Sequence, residues 1–296
     1  MVNNFENLRR MNIAISGITG LVGQACSERL LNAGHCVTGI GRRDFGSGFE
    51  HLQSKLSGID VIVHLAGAPI LKRWTEKWKD TILKSRTETT RKLVEAMNGM
   101  SQPPSVFVSA SAVGIYNTFE VHDEYSTEFA DDFLSSVCQQ WEAEAMKIDT
   151  AKTRLAIIRL GMVLSGDGGA LKQMSLPFKM GMGGRIGDGL QPMPYIHIDD
   201  LTAAVQWIID NEDQKGVFNM VAPQMISNAE FTFALSAVLN RPAFFVIPEF
   251  VLRLLYGRAA EVLTKGRKVV PHRLPDSGFR FEFPDIRLAL THLLDK

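Results

Sequence analysis

The chain has 296 residues, of which 45% are hydrophobic and 22% are charged, enough for a full core in one large domain or two smaller ones. The 32 Lys and Arg residues balance the 32 Asp and Glu residues, so no net charge favours binding to nucleic acid or to an anionic membrane. We therefore expect neither of them as a partner. The oligomeric state stays open.

The chain start and the cysteines bear on the compartment. Residues 1–10, MVNNFENLRR, lack the apolar centre of a secretory signal, and no run of about 18 apolar residues occurs. Cys26, Cys36 and Cys138 are odd in number and lack CxxC spacing, which argues against a disulfide framework and a zinc site. We expect a cytoplasmic protein without a metal ion, in which residues 1–10 are an extension before the first strand.

Strand-like apolar runs alternate with helical spacing along the first half of the chain. The strand-like runs cover residues 12–16, 36–40, 60–65, 105–110 and 154–160, and the helical stretches cover 21–33, 76–98 and 130–149. Such alternation is typical of an α/β protein with a doubly wound parallel sheet, whose ligands bind at the carboxyl ends of the strands.

The loop after the first strand reads "SGITGLVG" and has glycines at positions 17, 20 and 23. Glycine allows a sharp turn and lets a pyrophosphate approach the backbone, and the helix that follows directs its free N–H groups at the phosphates. The pattern predicts a Rossmann-like dinucleotide site. Its residues are Gly17, Thr19, Gly20, Leu21, Val22 and Gly23.

The end of the second strand indicates which dinucleotide binds. Gly41 is followed by Arg42 and Arg43, about 20 residues past the last glycine, where the adenosine ribose is expected, and no acid precedes Asp44. Arginine pairs with a 2′-phosphate, so we predict NADP(H) rather than NAD(H). The alternative is that both arginines belong to a solvated turn.

The third strand is followed by small residues in "HLAGAPI". Leu65, Ala66 and Gly67 would let the backbone lie against the adenine and ribose of the nucleotide, although a simple tight turn would use the same residues. Arg73, Trp74, Ser85 and Arg86 follow on or before the long helix. An arginine there could hold a phosphate or carboxylate, and Arg86 is counted with the cofactor site.

The sequence changes character after about residue 165. A glycine-rich stretch at 181–189, with Arg185, is typical of a flexible lid, and "FFVIPEFVLRLLYG" predicts a strand followed by an amphipathic core helix. We predict a nucleotide-binding domain over 11–165, with returning elements near 190–222, and a smaller C-terminal substrate lobe made mostly of 166–296.

Several motifs together resemble the extended short-chain dehydrogenase/reductase superfamily of NAD(P)-dependent sugar epimerases and dehydratases. They are the GxxGxxG loop, "HLAG", "VFVSASAVGIY" and "YIHIDDL". More narrowly, "ASAVGIY", "CQQWEAEA", "GGALKQMSLPFKMGMGG" and "LPDSGFRFEFPDIRLAL" resemble an epimerase-like family often labelled cell-division-inhibitor homologues, which has a C-terminal domain of unknown function. This resemblance covers the chain after Met11.

The resemblance implies further site residues. Ser111 matches the superfamily's catalytic serine by its place in "SASAV", and Ser109 in the same segment belongs with the cofactor site. The segment "RLGMVL" resembles the one that contacts the nicotinamide, which implies roles for Arg159, Gly161 and Val163. A core strand with one arginine is the alternative.

The resemblance also implies a catalytic tyrosine with a lysine four residues later, and this pair is missing. The residues four positions after the four tyrosines are Glu120, Phe129, Asp199 and Ala260. Cys138 and Glu142 occupy the corresponding places. A carboxylate beside a thiol raises the thiol's pKa, so either Glu142 acts as acid or base, or Cys138 and Glu142 pack a site that binds cofactor without turnover.

Two functions follow as alternatives. One is an NADP(H)-dependent oxidoreductase or epimerase-like enzyme that acts on an unidentified small molecule, with a nucleotide-sugar-like compound as one option. The other is a non-catalytic NADP(H)-binding sensor or regulatory protein. His197 could serve as acid or base. However, Asp199 and Asp200 stand just before a helical run, where an acid commonly caps the N-terminus, and His197 is predicted to order that turn.

Overall fold

The computed structural model describes residues 10–294. The predicted N-terminal extension, except for Arg10, lies outside the described residues. The strands are β1 Asn12–Ser16, β2 Cys36–Ile40, β3 Val61–His64, β4 Val106–Ala112, β5 Val121–His122, β6 Arg154–Leu160, β7 Met162–Leu164, β8 Gly184–Ile186, β9 Tyr195–His197, β10 Gly216–Met220, β11 Phe245–Ile247 and β12 Lys268–Val269.

The helices alternate with these strands in the first half and dominate the last third. They are α1 Leu21–Asn32, α2 Arg42–Gly46, α3 Phe49–Leu56, α4 Glu76–Asn98, α5 Phe133–Ala145, α6 Gly169–Lys179, α7 Ile198–Asp210, α8 Asn228–Leu239, α9 Glu249–Tyr256, α10 Glu261–Thr264, α11 Arg273–Asp276 and α12 Ile286–Leu294. Among the described residues, no helix has the length and apolar composition needed to cross a bilayer.

The central sheet has six parallel strands in the order β10-β6-β4-β3-β1-β2. Helices cover both faces: Ile13 and Ile15 pack in a core with residues of α1 and α7, whereas Ala14 between them packs with residues of α3 and α4. The predicted α/β fold with a Rossmann-like doubly wound sheet is confirmed. Successive side chains of a strand point to opposite faces, so a strand covered on both faces is apolar throughout.

Later residues contribute both to this sheet and to a second core. β10 pairs with β6 at the sheet edge, while α6, α8 and α12 pack around Leu171, Phe231 and Leu290. The division into a domain over 11–165, with returning elements near 190–222, and a lobe over 166–296 stays a prediction.

The segment at 244–257 forms the predicted strand and helix, β11 and α9. The prediction that α9 lies in the core was wrong: Leu252 is its buried residue, whereas Phe250 and Leu254 are 69% and 73% exposed. Apolar residues lie on several sides of this helix, and only one side meets the rest of the protein. The glycine-rich stretch at 181–189 contains β8, which pairs in parallel with β11.

Candidate cofactor and substrate site

The glycine loop between β1 and α1 has three glycines with different physical requirements. Gly17 has φ 74°, a left-handed backbone that disfavours side chains, and a Cβ there would lie 3.0 Å from backbone atoms of Leu65 and Ala66. At Gly23 a Cβ would lie 2.3 Å from the Gly17 carbonyl oxygen, so Gly23 lets α1 pack directly on the loop. At Gly20 the nearest atom is Gly17 O at 3.3 Å, and the remaining directions are open.

The helix α1 begins at this loop, and no side chain caps its N-terminal N–H groups. Its N-cap residue is Gly20, and no acidic residue lies in the first turn. Thr19 and Gly20 are exposed, while Leu21 lies against Gly169, the first residue of α6. Unpaired N–H groups at the positive end of a helix dipole form an anion site, and the glycines leave room for a phosphate.

Arg42 and Arg43 lie in the first turn of α2, directly after β2, and both are exposed. Asp44, the acid that follows them, already has partners within the protein: its carboxylate accepts hydrogen bonds from Gly41 N–H at 2.7 Å and from His51 Nε2 at 3.0 Å. The Gly41 hydrogen bond, helped by His51, lowers the pKa of Asp44 below its ordinary value. The acid after β2 therefore caps its own helix.

The end of β3 is fixed by a buried polar group. Ser16 Oγ lies 2.5 Å from His64 Nδ1 and accepts hydrogen bonds from the Leu65 and Ala66 N–H groups at 3.2 and 3.4 Å. Burial, with a smaller contribution from the Arg86 charge, lowers the pKa of His64 to about 3. A neutral His64 thus holds the loop at 65–67 beside the glycine loop.

Arg86 supports the same loop from behind. Its guanidinium donates to Ala68 O and Ile82 O at 3.0 Å each and lies over the Trp141 ring. A Cβ on Gly67 would be 3.0 Å from it. Arg86 is 8% exposed, so its contribution to the cofactor site stays a prediction. Ser109 lies on β4 opposite His64, also buried.

Ser111, Cys138 and Glu142 do come together, and Arg159 joins them. Ser111 Oγ donates to Glu142 Oε1 at 2.6 Å, and Arg159 donates to both Glu142 oxygens at 2.8 and 2.7 Å. All four residues are buried, with 1–5% exposure. Both oxygens of the Glu142 carboxylate thus have charged or hydroxyl donors within the protein.

The pKa shifts agree with that arrangement. Burial, with a smaller contribution from the neighbouring Glu142 charge, raises the pKa of Cys138 to about 12. Burial lowers the pKa of Arg159, but the hydrogen bonds and charge of Glu142 outweigh this effect, and the net shift is upward. Cys138 is therefore a thiol at neutral pH, and Glu142 and Arg159 form a buried ion pair.

A cavity of about 480 Å³ opens beside this cluster. Its floor is formed by the segments Ala112–Gly114 and Leu160–Met162, which follow or end β4 and β6 at the carboxyl edge of the sheet. Gly161 is needed there for close packing, because a Cβ would lie 2.8 Å from Pro194 O. Val163 belongs to the adjoining core. Ser111, Cys138, Glu142 and Arg159 do not line the cavity.

Comparisons with known proteins agree with this geometry. The NAD dependent epimerase/dehydratase family matches residues 13–220, and a domain of unknown function matches residues 247–293. The chain belongs to the NAD-dependent epimerase/dehydratase family. An epimerase family protein from Staphylococcus saprophyticus is 36% identical over 95% of this chain and 98% of its own length.

Two mammalian family members are similar over their whole length. Mouse epimerase family protein SDR39U1 is 38% identical over 96% of this chain and 100% of its own. A crystal structure of human SDR39U1 with NADPH has a TM-score of 0.90 and 35% identity, over 97% of this chain and 100% of that chain. The chain is thus an NAD(P)-binding family member with the short-chain dehydrogenase/reductase fold.

One polar network in this family member could not be found from sequence motifs. Tyr116 is fully buried, its hydroxyl accepts from Arg159 at 2.7 Å, and it lies 2.9 Å from Asn219 Oδ1. Burial raises the pKa of Tyr116, because desolvation outweighs the Arg159 charge. Tyr116 is therefore a neutral phenol that belongs to the buried network of Arg159 and Asn219. No residue spacing in the sequence links it to Arg159 or Asn219.

His197 has the structural role predicted for it. It is the N-cap residue of α7, and its Nδ1 accepts from Asp199 N–H at 3.0 Å. The prediction that Asp199 or Asp200 caps this helix was wrong: both lie in its first turn, and Asp200 instead accepts from the Glu282 and Phe283 N–H groups. Asp200 thereby ties α7 to the chain before α12.

His197, Asp199 and His292 are close enough together for a metal ion. However, His197 Nδ1 already accepts a backbone hydrogen bond, which places the ring proton on Nε2, 3.1 Å from His292 Nδ1. A protonated nitrogen cannot be a metal ligand. The cluster is a hydrogen-bonded chain that packs on Phe283.

Proposed function

We propose that this chain is an NADP(H)-dependent oxidoreductase or epimerase-like enzyme of the extended short-chain type, acting on a small molecule. One observation carries the proposal: the cavity of about 480 Å³ begins at Ala112–Gly114 and Leu160–Met162, at the carboxyl ends of β4 and β6. Ligands of doubly wound folds bind at this edge of the sheet, and the volume is in the range of small-molecule sites.

The residues around α1 fit the pyrophosphate of a dinucleotide. The open side of Gly20, the uncapped N-terminus of α1 and the loop at 65–67 are adjacent. Gly17, Thr19, Leu21, Val22 and Gly23 would complete this part of the site. These features suit NAD(H) and NADP(H) equally, because both contain the same pyrophosphate.

The preference for NADP(H) rests on α2. Arg42 and Arg43 are exposed at the end of β2, and Asp44 is engaged by Gly41 and His51. Two guanidinium groups without a free carboxylate favour a 2′-phosphate over a 2′-hydroxyl. The crystal structure of the human relative contains NADPH, which supports the same assignment.

NADP(H), when bound, would supply or accept a hydride at the cavity floor. Leu160, Gly161 and Val163 would contact its nicotinamide, and the apolar cavity walls would exclude water. Ser111 and Glu142 are held behind the cavity floor by Arg159. We assign two roles to Glu142: it positions Ser111, and it joins α5 to β4. Cys138, as a neutral buried thiol, fills space there.

The same burial favours the second candidate, a non-catalytic NADP(H) sensor. No acid or base of the Ser111, Cys138 and Glu142 cluster lines the cavity, so this cluster does not contact a ligand there directly. The cavity itself favours the enzyme, because a cofactor sensor needs no second binding volume beside the nicotinamide.

The test has two stages. NADPH and NADH are first titrated by fluorescence, and tighter NADPH binding is expected. The protein is then incubated with NADPH deuterated at C4 and a panel of carbonyl compounds, and deuterium in the product is measured by mass spectrometry. Met174→Trp, which fills the cavity, should abolish transfer while leaving NADPH affinity unchanged. NADPH binding without transfer to any compound would favour the sensor, and equal affinity for both cofactors would contradict the NADP(H) assignment.

A further inference from the structure

The wall of the cavity opposite the sheet is one face of α6. Ala170, Met174 and Phe178 recur at the spacing of helical turns, and all of them line the cavity. Trp74 and Phe133, whose rings pack edge to face at 5.1 Å, line another part of the wall. The space beside the predicted nicotinamide position is therefore enclosed by aliphatic and aromatic side chains.

Most polar side chains that line the cavity already have partners within the protein. Asn228 accepts from Ile186 N–H and donates to Met193 Sδ. Arg267 and Asp132 form a salt bridge at 2.6 Å, and Lys265 and Glu261 form another at 3.0 Å. Gln173 and Thr232 also line the cavity.

A nucleotide sugar does not suit such a wall. Its diphosphate requires cations or several N–H donors, and its sugar hydroxyls require partners, because a buried polar group without a hydrogen bond is strongly unfavourable. Gln173, Thr232 and Tyr256, with most of the charged side chains already paired, do not provide these contacts. Apolar surface in the ligand would instead be stabilised by contact with the wall.

The cavity mouth has one cation that differs from the others. Arg258 lines the cavity and is exposed, and within residues 10–294 no carboxylate lies at salt-bridge distance from it. Its charge contributes to the lowered pKa of Glu76, behind the larger effect of the hydrogen bond from Lys79. A second guanidinium, that of Arg73, lies beside Gly257, the residue that precedes Arg258. The mouth therefore favours an anion.

We propose that the cavity binds an amphipathic anion, an apolar chain or ring system with one carboxylate or phosphate, rather than a nucleotide sugar. The apolar part lies against α6 and the Trp74–Phe133 pair, and the anionic group lies near Arg258. This proposal rests on the proposed function in one respect: both place the substrate in the same cavity.

The test uses the full-length protein saturated with NADPH and three probes: decanoate below its micelle concentration, decanol and UDP-glucose. Binding is measured by calorimetry. We expect decanoate to bind at least about tenfold more tightly than decanol, as an added charge-assisted contact would give, and UDP-glucose not to bind. Arg258→Gln should bring decanoate and decanol to similar affinities, whereas Arg253→Gln on the exposed side of α9 should preserve the difference.

Paired variants on α6 locate the binding. Met174→Trp on the cavity face should weaken decanoate binding at least tenfold, and Leu176→Trp on the exposed face should not. If Met174→Trp leaves decanoate affinity unchanged, the probe binds on the exposed apolar surface and the proposal is overturned. Binding of UDP-glucose without binding of decanoate would also overturn it. NADPH is titrated separately. Decanoate binding to a protein that fails to bind NADPH would refute the proposed function and leave the substrate class standing.

Discussion

Glu142 and Arg159 form a buried ion pair with two hydrogen bonds, one to each carboxylate oxygen, at 2.8 and 2.7 Å. Both residues are 4% exposed, and Ser111 and Tyr116 complete the network from either end. The resemblance to the extended short-chain family assigns the lysine position to Glu142 and the tyrosine position to Cys138, whereas Arg159 lies on β6. The ion pair explains why a carboxylate can occupy the lysine position: the compensating charge comes from β6.

Glu142→Gln should destabilise the protein by about 3–5 kcal/mol, because it leaves the Arg159 guanidinium buried without its counter-charge. Urea unfolding followed by circular dichroism measures this. Glu76→Gln, which removes an exposed salt bridge to Lys79, is the control and should change little. Unchanged stability of Glu142→Gln would show that the ion pair is not the dominant interaction.

Glu142→Lys should be worse than Glu142→Gln, because it brings two cations together in a buried site. The double variant Cys138→Tyr with Glu142→Lys, which restores the superfamily pair, should therefore be destabilised unless Arg159 is also changed. Combining Glu142→Lys with Arg159→Glu should recover part of the lost free energy of unfolding. Additive losses in the reversed pair would contradict a direct charge interaction.

Replacing Arg42 and Arg43 together with alanine should weaken NADPH binding about 10- to 100-fold and leave NADH binding unchanged, because only NADPH has the 2′-phosphate. Fluorescence titration measures both constants. Arg91→Ala, an exposed arginine on α4, serves as the control. Equal losses for the two cofactors would place these arginines elsewhere in the site.

Gly20 and Gly23 should respond differently to substitution. Gly20→Val should abolish cofactor binding in a folded protein, because its side chain would occupy the phosphate position. Gly23→Ala should instead lower the free energy of unfolding, by about 3 kcal/mol for such overpacking, since its Cβ would lie 2.3 Å from Gly17 O. Thermal unfolding and NADPH titration separate the effects, and tight NADPH binding by Gly20→Val would show that the phosphate lies elsewhere.

Acid should destabilise the protein through His64. Its pKa is about 3 in the folded protein, against 6.5 ordinarily, so between these pH values the unfolded state binds the additional proton. The free energy of unfolding should fall by up to about 1.4 kcal/mol per pH unit as pH decreases through this window. His64→Gln should reduce that slope, whereas the exposed His272→Gln should not. An unchanged slope in His64→Gln would assign acid sensitivity to other groups, such as His197, whose pKa burial lowers to about 4.

The central sheet could be predicted closely from the sequence, because strands buried on both faces form continuous apolar runs. The bounds of β1, β2, β6 and α4 agree with the predicted ranges at 12–16, 36–40, 154–160 and 76–98. Residues 169–179, which form α6 and one wall of the cavity, also have apolar residues at helical spacing. Spacing alone does not say whether a helical face meets a core or a cavity. For the same reason the location of α9 was predicted wrongly.

The sequence by itself determined the alternation of strands and helices in the first half of the chain, the glycine loop and the absence of a tyrosine–lysine pair, because these depend on local backbone requirements and residue identity. The tertiary structure decided which charges meet. Glu142 and Arg159 are on a helix and a strand 17 residues apart, and the carboxylate of Asp44 is engaged by Gly41 and His51. Such partners depend on which elements become neighbours, and buried charges adopt whichever pairing satisfies their hydrogen bonds.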